Sequence, residues 1–116
     1  MADVIRHGEV LLFREVGSAA KRIEANIAGY YKKKDDNVIA IGESGHAHAV
    51  VDGEIYVSPS GMMFVKAGPN TSIQHLDAKT GAQAEHNKIR GLECGFYTVG
   101  FKREYDEELQ SRRVLD

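Results

Sequence analysis

Short apolar runs separated by closely spaced turn signals constrain the fold of this chain more than any other feature of its sequence. From residue 38 onward, these runs alternate with segments rich in Gly, Pro, Asn and Asp. A strand needs only about four to eight residues, whereas a helix needs about ten or more, so runs this short favour strands. The predicted strands are Val38–Ile41, Ala47–Val51, Ile55–Val57, Met62–Val65 and Ser72–Leu76.

Residues 96–105 give the clearest strand pattern of the chain. Tyr97, Val99 and Phe101 fall on one face, and polar or small residues fall on the other. One packed face and one wet face are typical of an antiparallel sheet. The apolar run that follows Gly8 and ends before Gly17 predicts another strand near the N-terminus.

Three turn signals predict how these strands connect. Asp52-Gly53 is typical of a two-residue type I′ hairpin, because both central positions of that turn need a positive φ. Residues 58–61 predict a second turn, and residues 68–70 predict a further break in the chain.

Residues 17–37 fit either a helix or a strand. Ser18 is a suitable cap for a helix with apolar residues at spacings of three and four, although Gly29 would weaken that helix by about 1 kcal/mol relative to Ala. Ile23, Ala25 and Ile27 also alternate as a strand does. The charged residues 32–37 predict a solvated turn.

Taken together, the pattern predicts one all-β domain over residues 1–116, either a small antiparallel β-barrel or a jelly-roll-like, cupin-like sandwich, with room for one short helix. A chain of 116 residues is long enough to bury a core without disulfides or metals. Because an open sheet of this size has edges that must be covered, we expect the chain to form a homo-oligomer.

Composition excludes several classes of protein. The formal net charge of −2 disfavours nucleic acid as a partner, and the single cysteine excludes a disulfide scaffold. No run approaches the roughly 20 apolar residues that span a bilayer, and the first residues do not resemble a signal peptide. We therefore expect a cytoplasmic protein with no membrane partner.

The segment Gly45-His46-Ala47-His48 carries the sharpest chemical signal. On a strand, His46 and His48 lie on the same face and stand close enough to share one metal ion. Neutral imidazole is the commonest metal ligand among protein side chains, and two or three histidines with a carboxylate would suit Zn, Fe, Mn or Ni, so a divalent transition metal is the cofactor that this pair would take. A third ligand must come from another segment, and the candidates are His75, His86, Glu54 and Glu43.

Other interpretations of the histidines stay open. The pair could lie on the wet face of a strand, order a loop by hydrogen bonding, or respond to pH. His7 fits a hydrogen-bonding group at a strand end, His75 a core residue, and His86 a loop residue. Cys94 fits a small buried residue better than a nucleophile, because no local pattern supplies a base.

Residues 42–75 resemble the cupins, small double-stranded β-helices that hold a metal by an H-x-H pair, a carboxylate and a later His. Here His46-Ala47-His48 is followed by Glu54, Gly61 and then His75, with one residue more between His48 and Glu54 than the cupin pattern has. The resemblance implies a metal-dependent enzyme in which His46 and His48 are ligands.

A second resemblance covers most of the chain except residues 17–37. The segments His7-Gly8-Glu9-Val10, Gly45-His46-Ala47-His48 and Arg103-Glu104-Tyr105 are similar to a small uncharacterised bacterial and phage family with H-G-D/E-V, G-H-x-H and R-E-Y motifs. That family has no established activity. The resemblance implies a β-rich fold in which the histidines are grouped.

The leading hypothesis is a non-enzymatic β-domain, phage-derived and self-associating, which acts as a structural or binding protein and has a His-lined polar site. The alternative is a metal-dependent, cupin-like enzyme. The residues predicted for the site are His46, His48, His75, His86 and Glu54.

Overall fold

The computed structural model of the protein describes residues 4–41, 46–77 and 89–101. These ranges contain an eight-stranded sheet and one helix, and every strand pair is antiparallel. The all-β prediction is therefore confirmed. The elements are β1 (Val4–His7), β2 (Val10–Glu15), α1 (Gly17–Gly29), β3 (Lys32–Lys33), β4 (Val38–Ile41), β5 (His46–Val57), β6 (Met63–Asp77), β7 (Arg90–Gly91) and β8 (Gly95–Phe101).

The sheet has the strand order β1-β2-β8-β6-β5-β3, with β4 paired to β5 and β7 paired to β6. Within the described ranges this order does not return to β1, so the sheet is not closed into the barrel that was one of the two predictions. Four steps of about 4.8 Å separate β1 from β5 along a flat sheet, yet His7 of β1 contacts His48 of β5. The sheet is therefore strongly curled.

The long β5–β6 hairpin is the centre of the sheet, and it corrects two of the turn predictions. Strand β5 runs without a break through Asp52 and Gly53, and β6 runs through residues 68–70. The positive φ predicted at Asp52 is present, at 58°, but it belongs to a β-bulge, because the register shifts between Val51 and Gly53. The turn that joins the two strands is the one predicted at residues 58–61, where the Gly61 N–H donates to the Ser58 carbonyl.

Thr71 fixes this irregularity by three hydrogen bonds. Its hydroxyl donates to the Asp52 carbonyl at 2.5 Å and accepts from the Gly68 N–H at 2.8 Å. Its carbonyl accepts from the Leu92 N–H at 2.9 Å. A Cβ at Gly53 would lie 2.6 Å from the Thr71 Cγ2 atom, so only glycine fits there. The bulge divides the hairpin into one half that pairs with β4 and β7 and another that pairs with β3 and β8.

One apolar cluster joins both halves of the hairpin to β2, β4 and β8. The predicted alternation in β8 is confirmed, since Tyr97 and Val99 are buried in this cluster. The Tyr97 hydroxyl donates to the Glu93 carbonyl at 2.9 Å, which satisfies its polar end. The largest fully buried side chains are Tyr97, Leu12, Ile55, Ile73, Val10, Val50 and Val65.

Residues 17–29 form the helix that the sequence left open, and Ile23 is its buried residue. The predicted cap is wrong, because Val16 occupies the N-cap position and no side chain caps the helix. The predicted solvated turn at residues 32–37 begins with the short strand β3. The helix of the described residues is too short and too polar to cross a membrane.

Candidate functional site

Three histidines from three strands form one cluster, which we call the histidine cluster and define as His7, His48 and His75. His48 and His75 are direct cross-strand partners in the β5–β6 ladder, and their rings are stacked with centroids 4.5 Å apart. His7 arrives from the end of β1 and meets both rings edge-on, at centroid distances of 5.0 Å from His48 and 6.0 Å from His75. The curl of the sheet is what brings His7 to the other two.

A hydrogen bond joins two of these rings. The Nδ1 atoms of His7 and His48 lie 2.8 Å apart, and the two residues are 6% and 8% exposed. One Nδ1 must donate its proton while the other accepts, so the two rings hold complementary protonation states. If both rings were imidazolium, two donors would face each other and the bond would be lost. The cluster therefore disfavours protonation of His7 and His48 together.

The surroundings of His48 favour its neutral form. Burial of the ring, followed by repulsion from His75 and then from His7, lowers the pKa of His48 from 6.5 to about 4. At neutral pH the ring is therefore uncharged, and it can serve as the neutral partner of the hydrogen bond to His7.

Gly8 lets the turn between β1 and β2 approach the cluster. It has a φ of +62°, and a Cβ built on it would lie 2.7 Å from the His48 Cε1 atom. A residue with a side chain would be strained at that φ and would also push the ring out of place. The adjacent His7-Gly8 pair is thus the local signal that could have indicated the role of His7, which sequence reasoning treated only as a hydrogen-bonding residue at a strand end.

The remaining predicted site residues are placed as follows. The backbone of His46 pairs with Asp77 at the end of the β5–β6 ladder. His86 and Glu43 lie outside the described residues. Glu54 lies beyond the bulge, in the other half of the hairpin, and its carboxylate forms an ion pair with the Lys33 Nζ at 2.8 Å. The hydrogen bond from Lys33 lowers the pKa of Glu54 and is the largest contribution to that shift.

In the part of the chain that the structure describes, no group of three His, Cys, Asp or Glu residues is arranged to hold a metal ion. In the histidine cluster, the Nδ1 atoms of His7 and His48 hydrogen bond to each other. The predicted metal site on His46, His48, His75, His86 and Glu54 stays a prediction, since the side chain of His46 and all of His86 lie outside the described residues. The prediction of a buried Cys94 is wrong, because this residue is exposed.

Comparisons with protein-family models, with curated proteins and with solved structures find no match to this chain. The two resemblances stated from the sequence motifs therefore stay predictions. The chemistry of the site is argued from the geometry of the histidine cluster alone.

Proposed function

We propose that this chain is a small non-enzymatic β-domain that acts as a structural or binding protein, self-associates, and uses its His-lined polar site to hold its own sheet together. The observation that supports this most is the buried His7–His48 hydrogen bond. A general base or a metal ligand must offer a ring nitrogen to another molecule or ion. Here the Nδ1 atoms of both rings bond to each other, so neither ring offers that atom to a ligand or substrate.

The position of the bond supports the same proposal. Within the described residues, β1 has a single strand neighbour, β2. The His7–His48 bond ties the end of β1 to the central hairpin, four strands away in the order of the sheet. A buried hydrogen bond between two such elements stabilises one arrangement of the sheet over others.

Strand β4 supports the proposal of self-association. Among the described strands it pairs with β5 alone, and its sequence Val-Ile-Ala-Ile has none of the charges that usually protect an edge strand. Ile41 at its end is 65% exposed. The short strand β3 contrasts with it, because both of its residues are lysines. We infer that β4 is the edge at which a second copy pairs.

Light scattering of the untagged protein over a range of concentrations tests the self-association. We expect an oligomer for the wild type and for Met62→Lys, since Met62 is similarly exposed, at 51%, but lies next to the β5–β6 turn. Ile41→Lys should give a monomer. A wild type that stays monomeric, or an Ile41→Lys variant with unchanged mass, would refute the proposal.

Elemental analysis of the same untagged protein tests the proposal against its alternative, a metal-dependent enzyme. We expect less than about one tenth of an equivalent of any transition metal, including after reconstitution. A stoichiometric metal that is lost in His48→Ala would instead support the alternative, a metal-dependent enzyme with His46 and His48 as ligands.

A further inference from the structure

Helix α1 covers the face of the sheet that is turned away from the apolar cluster. On that face, Phe13 of β2, Thr98 of β8 and Phe64 of β6 are cross-strand partners in one row, which we call the outer row. Neighbours along a strand point to opposite faces, and Tyr97 and Val65, next to Thr98 and Phe64, belong to the apolar cluster. Helix α1 lies beside β8, and Phe64 is only 7% exposed although it is on this outer face. The helix and the residues after it therefore shield the outer row.

The packing between α1 and the sheet is thin. The structure describes every residue of α1, and Ile23 is the one that is buried. The rest of its inward stripe is half-buried and consists of Ala19, Ala20, Asn26 and Ile27. Two alanines and an amide bury little apolar surface, whereas most helices in proteins owe their stability to the burial of an apolar face. Packing therefore holds α1 only weakly.

The ends of α1 do not compensate for this thin packing. Val16 at the N-cap supplies no side-chain hydrogen bond, the first turn has no acidic residue, and the last turn has no basic residue. The helix has 13 residues, and an isolated helix shorter than about 12–15 residues is marginal in water. Gly17, its first residue, has a φ of +61°, and a Cβ built there would meet nothing within 4 Å. The chain therefore has room to turn at the start of the helix.

Tyr31, which follows α1, fastens the end of the helix to the outer row. Its ring is stacked on Phe64, with centroids 4.9 Å apart and planes 8° apart. Its hydroxyl accepts a hydrogen bond from the Asn26 Nδ2 at 3.2 Å, and its N–H donates to the Asn26 carbonyl at 2.9 Å. Tyr31 thus connects the last turn of α1 to β6. Its neighbour Tyr30 is 75% exposed.

From this arrangement we propose that α1 is a hinged cover, which opens from the outer row as one unit while the strands stay paired, and which the Tyr31–Phe64 stack holds closed. Elements with little buried apolar surface are the ones that open while the rest of a protein stays folded. Opening would make Phe13 and Phe64 accessible, so α1 controls access to an apolar face of the sheet. The proposal goes beyond the proposed function and depends neither on the histidine cluster nor on self-association at β4.

Native-state hydrogen exchange of the full chain, followed by NMR at several low urea concentrations, tests whether α1 opens separately. After correction for intrinsic rates, we expect the hydrogen-bonded amides of α1 to exchange at least about a hundredfold faster than those of the β5–β6 hairpin. The α1 rates should rise together with urea, because one opening unit exposes surface as a whole. Equal protection in α1 and the hairpin, or α1 rates that do not depend on urea, would overturn the proposal.

Tyr31→Ala, with Tyr30→Ala as its matched control, tests what holds the cover closed. Tyr31→Ala removes the ring from Phe64, so we expect α1 exchange to become at least about tenfold faster, with a smaller change in the hairpin. Tyr30→Ala removes an exposed ring of the same size and should leave α1 exchange within about twofold of the wild type. Equal effects of the two substitutions on α1, or an equal increase in α1 and the hairpin, would overturn the proposal. The wild-type measurement decides whether α1 opens separately should Tyr31→Ala fail to fold.

Discussion

The histidine cluster predicts that mild acid destabilises this protein well above the pH at which its carboxylates titrate. In the unfolded chain His48 takes up a proton near its ordinary pKa of 6.5, whereas burial and the neighbouring histidines lower its pKa to about 4 in the folded protein. Between these values the unfolded state holds more protons, so lowering the pH shifts the equilibrium toward unfolding. The contribution of His48 to the free energy of unfolding is fully present above pH 6.5 and is lost as the pH falls toward 4.

The size of the effect follows from the two pKa values. Protonation of the unfolded state at pH 5 lowers the free energy of unfolding by about 2 kcal/mol relative to pH 7.5, and the loss reaches roughly 3 kcal/mol well below pH 4. His48 is 8% exposed, so solvent screens this contribution little. The lowered pKa values of Glu54 and Asp36 act mainly near and below their ordinary values of 4.5 and 3.8, so these two groups contribute little between pH 5 and 7.5.

Urea denaturation at several pH values between 5 and 7.5 measures this loss directly. His48→Asn removes the titrating group, so we expect a less stable protein whose free energy of unfolding depends much less on pH in this range. We compare how steeply the free energy of unfolding changes with pH in the two proteins, so the stability that the substitution itself removes does not affect the result. A wild type whose free energy of unfolding changes by less than about 0.5 kcal/mol over this range would refute the role assigned to His48.

Three glycine substitutions test the packing that positions the site, each by urea denaturation. Gly8→Ala should cost about 1–3 kcal/mol, because the methyl group would contact the His48 ring and the backbone has a positive φ; an unchanged midpoint would contradict the close approach of the turn. Gly53→Ala should also lower the free energy of unfolding by about 1–3 kcal/mol, because its methyl group would collide with the Thr71 Cγ2 methyl group. Adding Thr71→Ser removes that Cγ2 methyl group and should restore part of the lost stability, so equal stability of the single and double variants would disprove the contact. Gly29→Ala, at the end of α1 with nothing within 4 Å of the new Cβ, should stabilise the protein by up to about 1 kcal/mol, and a clear loss would contradict the helix.

Local patterns predicted those parts of the fold that local interactions determine. The alternation in β8 and the turn at residues 58–61 depend on neighbouring residues, and both predictions are confirmed. The signal at Asp52-Gly53 indicates a positive φ, which a hairpin and a β-bulge both use. The choice between them depends on Thr71, 19 residues away, whose hydroxyl donates to Asp52. The pattern of a short segment cannot predict a contact between residues so far apart in the sequence.

The histidine cluster was predictable only in part, for the same reason. The sequence identified the pair His46 and His48, with His75 among the candidate partners, and the cross-strand register brings His48 and His75 together. His7 is 41 residues from His48, and it reaches the cluster because the sheet curls, which no local pattern indicates. Glu54 became a candidate ligand from its position near the pair, whereas its ion pair is with Lys33, in a segment that the sequence predicted to be a solvated turn.

The hydrogen bond between His7 and His48 is the central claim, and NMR of the imidazole nitrogens tests it most directly. In uniformly ¹⁵N-labelled protein at pH 7, we predict a through-hydrogen-bond coupling between the two Nδ1 nuclei, one ring carrying the Nδ1 proton and the other accepting it. The His48 signals should titrate only near pH 4. Absence of the coupling together with titration of His48 near its ordinary pKa of 6.5 would contradict the account.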